Sequence, residues 1–265
     1  MTKCVIKYYG VHSRKAVSAE GRIRLVFVSD LHNVSYGQEN RELAEKILAL
    51  HPDAVLIGGD LIVGKPEQPM DAALAFLRKL SGRLPVYAAN GNHEYRLRIY
   101  PEIYGDMYDT YRRGLLENHV TLLENESSTF SVRGMKITLY GYELKREYYD
   151  RFAHMELPLS EITEVFSPPA EEAYNILLAH YPKYFSTYVK WKPDLILSGH
   201  YHGGVIRMGK RWPLIGNDLT LFPKYGYGCH VEGDTTMIVS SGLGDHTIPF
   251  RLHNPRELVV VDIRK

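Results

Sequence analysis

Two cysteines, Cys4 and Cys229, are all the thiol that 265 residues contain. That excludes a disulfide framework and a thiolate cage for a metal. No apolar stretch approaches the ~18–20 residues that a bilayer-spanning helix needs. The opening "MTKCVIKYYGVHSRK" has no continuous apolar core and does not read as a signal peptide. Charge of one sign is missing as well: 32 Lys and Arg face 31 Asp and Glu, a net charge of +1. No long-range field therefore draws in nucleic acid or an acidic partner, and no basic run supplies one locally. No repeat, low-complexity tract or linker divides the chain. The expected location is the cytoplasm, free or peripheral to a membrane. Residues 1–265 are expected to form one domain.

What is present is an alternation of strand and helix patterns. "IRLVFVSD" (23–30), "DAVLIGGD" (53–60) and "PVYAANGNHE" (85–94) are apolar runs that read as buried strands. Between them, "RELAEKILAL" places Leu43, Ile47 and Leu50 on one helical face, and "MDAALAFLRKL" does so with Ala73, Leu74, Leu77 and Leu80. Continuous apolar strands in a βαβαβ unit suit a parallel sheet covered on both faces. Residues 94–119 read as mostly helical with a break near Pro101, followed by strand-like "VTLL", "STFSV" and "MKITLYGY". An excursion at about 143–172 is charged, aromatic and a candidate cap. "YNILLAH" and "PDLILSGH" are again strands, with "PKYFSTYVKW" as the helix between them. "GGVIRM", "TTMIVSS" and "ELVVVDI" read as hairpin-like strands of the tail.

Nearly every buried strand ends in a possible metal ligand. These are Asp30 and His32, Asp60, Asn92 and His93, His180, and the pair His200 and His202. In open α/β sheets ligands bind at the carboxyl ends of strands, so these donors are expected to converge on one crevice. Side chains two apart on a strand share a side, so His200 and His202 are expected to grip one object together. Imidazole, carboxylate and amide oxygen suit Zn, Fe or Mn better than Ca or Mg. Taken alone, a histidine at a strand end is an ordinary structural residue, and an aspartate there is an ordinary helix cap. Five such ends in order are not explained that way.

The same residues spell "DLH", "GGD", "GNHE", "AHYP" and "GHYH". From about residue 23 onward the chain resembles the calcineurin-like metallophosphoesterases. It is most similar to their bacterial YkuE- and YaeI-like branch, whose relatives include hydrolases of UDP-diacylglucosamine. "SGHYHGGVIRM", "FPKYGYG", "SSGLG" and "IPFRLHNPRELVVVDI" resemble that branch's tail. The resemblance implies a four-layer α/β/β/α sandwich of two mixed sheets flanked by helices. It implies two divalent or mixed-valence ions of Mn, Fe or Zn. One would be held by Asp30, His32 and His202, the other by Asn92, His180 and His200, with Asp60 bridging. His93 would contact the phosphate, protonating the leaving oxygen or steadying the transition state. The implied reaction is hydrolysis of a phosphodiester or pyrophosphate by metal-bound hydroxide, on a small-molecule or lipid-linked substrate. A nuclease on the same scaffold and a metal-free interaction module are the alternatives. No stretch matches the N-terminal membrane helix common in that branch. "GGDLIVG" lacks the second aspartate and the arginine of the protein phosphatase GD-x-x-DRG element, which argues against that activity.

Other signals read as ordinary. Tyr100, Tyr104, Tyr108 and Tyr111, with Tyr95 a turn earlier, form an amphipathic face expected to pack on the core. The sharper reading is a lip that stacks on a base or an acyl chain. Lys224 and Arg251 are candidates for a substrate phosphate. His230 and His246 sit in glycine-rich settings near the motifs. His12, His51, His119, His154 and His253 match no motif.

Overall fold

The structure is a computed structural model describing residues 2–15, 21–149, 155–208, 212–216, 220–245 and 250–265. The first part of the chain runs β1 (Val5–His12), β2 (Ile23–Val28), α1 (Arg41–Leu48), β3 (Ala54–Ile57), α2 (Asp71–Ser81) and β4 (Val86–Ala89). Then come α3 (Asn92–Ile99), α4 (Pro101–Tyr104), α5 (Met107–Glu117), β5 (Thr121–Leu123), β6 (Glu126–Val132) and β7 (Met135–Tyr142). The second part holds α6 (Ser160–Thr163), β8 (Tyr174–Ala179), α7 (Phe185–Trp191) and β9 (Leu195–Ser198). Last are β10 (Ile206–Met208), β11 (Trp212–Ile215), β12 (Gly228–Glu232), β13 (Thr235–Val239) and β14 (Glu257–Arg264).

Two six-stranded mixed sheets carry the fold, in the orders β1-β14-β2-β3-β4-β5 and β12-β13-β9-β8-β7-β6. β2 to β5 are parallel, as are β7, β8, β9 and β13. The apolar runs are continuous because each strand is buried on both faces. In β2, Val26 and Val28 pack under the helices while Leu25 and Phe27 face the other sheet. β9 repeats this, with Leu195 and Leu197 between the sheets and Ile196 under α7. Three apolar layers therefore separate four layers of structure. Each fully buried Leu, Ile or Phe contributes about 1.5–3 kcal/mol. The α/β/β/α sandwich is as expected.

Two expectations about the tail need correction. "ELVVVDI" is no hairpin strand: β14 lies between β1 and β2, parallel to the first and antiparallel to the second. Its residues Glu257–Ile263 are all buried. A run apolar on both faces demands a central position. β13 pairs antiparallel with β12 as a hairpin would, but its other edge joins β9 in parallel. β10 and β11 do form an antiparallel pair.

The tyrosine stripe splits. Tyr104, Tyr108 and Tyr111 are buried in the core under α2, as the ordinary reading expects, while Tyr95 and Tyr100 are only half-buried. The helical stretch breaks at Pro101 and again at Gly105. Among the described residues no helix is long and apolar enough to cross a membrane.

Candidate metal centre

Five parallel strand ends from two sheets meet in one place. β2 delivers Asp30 and His32, β3 delivers Asp60, and β4 delivers Asn92 and His93. β8 delivers His180, and β9 delivers His200 and His202. Every expected donor is at this junction. Three groups of side chains bring ligand atoms within 4.8 Å of one another: Asp30, His32 and His202; His32, Asp60 and His93; and Asp60, His180 and His200. Asn92 joins the last group through a 2.7 Å contact between its Oδ1 and His200 Nδ1.

The histidine pair does not stand on a strand. β9 ends at Ser198, and His200 and His202 lie in the loop beyond it, with φ of 69° and 51°. The turn sends their rings apart. His202 Nε2 comes to 3.0 Å from His32 Nε2 and 3.3 Å from Asp30 Oδ1, while His200 joins Asn92. Asp30, His32 and Asp60 also have φ near 50°. Non-glycine residues held in the left-handed region cost of order 1–3 kcal/mol each and cluster at functional sites.

Bare backbone makes room for the carboxylates. A Cβ on Gly91 would lie 2.2 Å from Asp60 Oδ1, and one on Gly199 would lie 2.0 Å from Ser29 Oγ and 2.2 Å from Asp30 Oδ2. Only glycine lets the strand-end loops approach this closely.

Hydrogen bonds decide which ring nitrogens face the crevice. His180 Nδ1 lies 2.7 Å from the Gly58 carbonyl, which only accepts, so Nδ1 carries a proton and Nε2 is the nitrogen turned to the crevice. That Nε2 is buried and makes no well-angled hydrogen bond, although Asp60 Oδ2 is 3.1 Å away. Burial opposes charge on His180, yet Asp60 and Asp30 push it up to about 10. Burial would raise the Asp60 carboxyl, but His180, His93 and His32 hold it well below the usual range. Asp30 is pushed up to about 6, mainly by burial. The cluster thus sets buried carboxylates among imidazoles and draws positive charge between its members.

His93 is built differently. Its Nδ1 accepts the Gly64 amide at 2.7 Å, which leaves the proton on Nε2. Burial pulls its pKa down, so the ring is held neutral with an N–H donor aimed into the crevice. Its Nε2 is 3.9 Å from Asp60 Oδ2.

Sequence reasoning missed the residues that hold these loops. Glu94 is fully buried and accepts four backbone N–H groups, from Asp60, Leu61, Ile62 and Gly91, at 2.8–3.2 Å. One carboxylate thereby ties the loop after β3 to the start of α3. The glutamate within "GNHE" was the available signal. Arg251 reads from the sequence as a solvent-facing charge or a candidate for a substrate phosphate. It is largely buried, donating to the carbonyls of Ser241, Gly244 and His202, and its Nη2 is 3.2 Å from His202 Nδ1. Asn254 also donates to the His202 and Gly204 carbonyls.

The excursion also reaches the site. Tyr149 stacks on Tyr181 with ring centroids 5.6 Å apart, and Tyr181 sits 4.3 Å from the His200 ring. Lys224 is exposed beside Tyr225, and His230 contacts Tyr225 and the Tyr227 carbonyl; neither belongs to the donor groups. His154 and His246 lie outside the described residues.

A family model described as calcineurin-like phosphoesterase matches residues 23–204, and the chain belongs to that family. It is a metal-dependent hydrolase that acts on phosphoesters. Among its relatives, the Bacillus subtilis protein YpbG is 28% identical over 244 residues, spanning 91% of this chain and 81% of that one. B. subtilis YkuE, named an uncharacterized metallophosphoesterase, is 27% identical over 254 residues, spanning 91% of this chain and 79% of that one. The NAD nucleotidase NadN of Haemophilus influenzae has the same fold, with a TM-score of 0.52 and 16% identity over 85% of this chain and 46% of that one.

Proposed function

We propose that the chain hydrolyses a phosphodiester or pyrophosphate, on a small-molecule or lipid-linked substrate, at a pair of Mn, Fe or Zn ions. Asp30, His32 and His202 would hold one ion and Asn92, His180 and His200 the other, with Asp60 shared. The observation that carries this reading is the Asp60 carboxylate. Its Oδ2 lies 3.1 Å from His180 Nε2 in one donor group and 3.7 Å from His32 Nε2 toward the other. The donors suit such ions: the buried His180 Nε2 faces the Asp60 carboxylate without a well-angled hydrogen bond, a place where a cation can replace its proton. One contact has to change. A guanidinium only donates, so Arg251 beside His202 Nδ1 leaves the proton on Nε2. A cation at Nε2 requires that proton to move to Nδ1 and Arg251 to turn from it.

Ions of this kind supply Lewis acidity and neutralise charge on the phosphoryl group. The chain's own residues do the rest. His93 presents Nε2–H to a phosphoryl or leaving oxygen, and with Nδ1 engaged by Gly64 it acts as a fixed hydrogen-bond donor, not as an imidazolium acid. Of the two roles expected for it, steadying the transition state is the one the tautomer favours. His93 does not ligate, because its crevice nitrogen carries a hydrogen. His93→Ala is expected to retain both ions and to lose about 10²–10³-fold in kcat, the cost of one such donor. Metal content measured beside kcat checks this, and a variant stripped of metal would move His93 into the ligand set.

We read residues 1–265 as one domain, supported by β14, which closes the sheet begun by β1 and β2. A cytoplasmic location rests on the cysteine content alone. The function is tested by assaying bis(p-nitrophenyl) phosphate, p-nitrophenyl phosphate, UDP-sugars and single-stranded DNA with Mn²⁺. Turnover of the diester or the UDP-sugar above the monoester is expected. Preference for DNA would favour the nuclease alternative, and no turnover of any would leave the interaction module.

A further inference from the structure

Behind the metal centre lies a second cavity, of about 560 Å³, lined among others by Lys3, Cys4, Arg251, His253, Asn254 and Arg256. It forms where the start of β1 meets the segment that enters β14, and the Val5 N–H donates to the Arg256 carbonyl there at 2.9 Å. His202 stands between this cavity and the crevice. Its Nε2 faces Asp30 and His32, and its Nδ1 lies 3.2 Å from Arg251 Nη2 on the outer side.

Charge in the cavity is unbalanced. Among the described residues Asp245 is the one carboxylate paired with its arginines. Its Oδ2 accepts from Arg256 Nη2, while its Oδ1 is 3.6 Å from Arg251 Nε, beyond hydrogen-bond length. The Nε atoms of both arginines are buried and have no hydrogen-bond partner. Lys3 is exposed at the edge, and nearby Lys46 reaches the Cys4 carbonyl, not an acid. Residues 246–249 contain no acid. Burial lowers the Arg251 pKa to about 10; Asp245 opposes that shift and Arg256 adds to it. Lys3, Arg251 and Arg256 against Asp245 leave two positive charges uncompensated. Buried charge without a partner is costly, so the cavity favours a counter-ion.

We propose that this cavity binds a phosphoryl dianion, as free phosphate or as a phosphomonoester. A dianion matches the two unbalanced charges, where a carboxylate would offset one. Guanidinium N–H groups also suit the oxygens of phosphate. Binding bears on His202 as well. An anion beside Arg251 draws the guanidinium outward and takes a donor away from His202 Nδ1. A cation at His202 Nε2 requires that same change. Anion and metal therefore favour each other, by the same factor in each direction. The anion site stands without the phosphoesterase reading; only its link to the metal rests on it.

Calorimetric titration of the full chain, stripped of metal by chelation, tests the site with inorganic phosphate and with glycerol 3-phosphate at fixed ionic strength. One phosphoryl group per chain is expected to bind, and the tighter of the two probes identifies the source. Arg256→Gln should weaken binding at least about tenfold, the weight of one charge-assisted hydrogen bond, and Lys3→Gln should weaken it less. Mn²⁺ affinity of the parent should rise at least about fivefold with phosphate present. In Arg256→Gln that rise should vanish, with Mn²⁺ affinity in phosphate-free buffer as in the parent. Circular dichroism checks each fold; if Arg256→Gln does not fold, Lys3→Gln, on an exposed residue, supplies the comparison. Absence of binding with both probes, or binding indifferent to these substitutions, overturns the site. Phosphate that leaves Mn²⁺ affinity unchanged, or a rise that persists in Arg256→Gln, overturns the link to His202. Mn²⁺ that does not bind at all refutes the metal reading and leaves the anion result standing.

Discussion

Asp60→Ala is expected to lose both ions together and to lower turnover by about 10³-fold or more. The residue is 2% exposed and has the imidazoles of His180, His32 and His93 within 3.1–3.9 Å. Among the described residues it is the one carboxylate that belongs to two of the three donor groups. In the proposed centre, removing it would take one ligand from each ion and the negative charge that offsets their repulsion. Lewis-acid stabilisation worth several kcal/mol goes with them, at about 1.4 kcal/mol per tenfold. Asp60→Asn separates charge from shape. An amide oxygen could still accept the His93 backbone N–H, which now bonds Asp60 Oδ1 at 2.9 Å. Metal content should therefore fall in Asp60→Asn while the fold persists. An Asp60→Ala protein that retains two full ions refutes the shared ligand.

Glu94→Gln should produce the largest loss of stability. Each carboxylate oxygen accepts two backbone N–H groups, Oε1 from Leu61 and Ile62, Oε2 from Asp60 and Gly91. A glutamine offers one oxygen, and its NH₂ would face the other two donors. Two buried N–H groups left unsatisfied cost about 1–3 kcal/mol each, so a loss of about 2–6 kcal/mol is expected. Because these amides shape the loops that present Asp60 and His93, activity should fall before unfolding is complete. The carboxyl is pushed up to about 7 by burial and by the nearby Asp60 charge. Denaturant unfolding of Glu94→Gln beside the parent gives the loss. A shift under 1 kcal/mol would show that the loops hold themselves.

The candidate site was legible before the fold because its chemistry is local in sequence. "DLH", "GGD", "GNHE" and "GHYH" each bind donor and turn into a few residues, and the apolar run before each is a strand whose end must sit at the sheet's edge. What the strand pattern misjudged was direction. His200 and His202 look like neighbours on one face, yet left-handed backbone at both sends their rings to different donor groups.

Pairings between distant segments were illegible for a different reason. β1 carries a polar, tyrosine-rich pattern and pairs in parallel with residues near the other end of the chain. Nothing in either segment names its partner, since backbone hydrogen bonds are the same for every sequence. Glu94 and Arg251 belong to this class as well. Each reads as a surface charge until the loops close around it.

By itself the sequence determined which donor side chains stand at the strand ends, the alternating architecture, and the two-sided burial of the strands. These follow from side-chain type and period, which a chain possesses before it folds. Tertiary structure alone decided that Asp60 belongs to two donor groups and which nitrogen of His180 and His93 faces inward. Those are properties of contact, set by groups far apart in the chain.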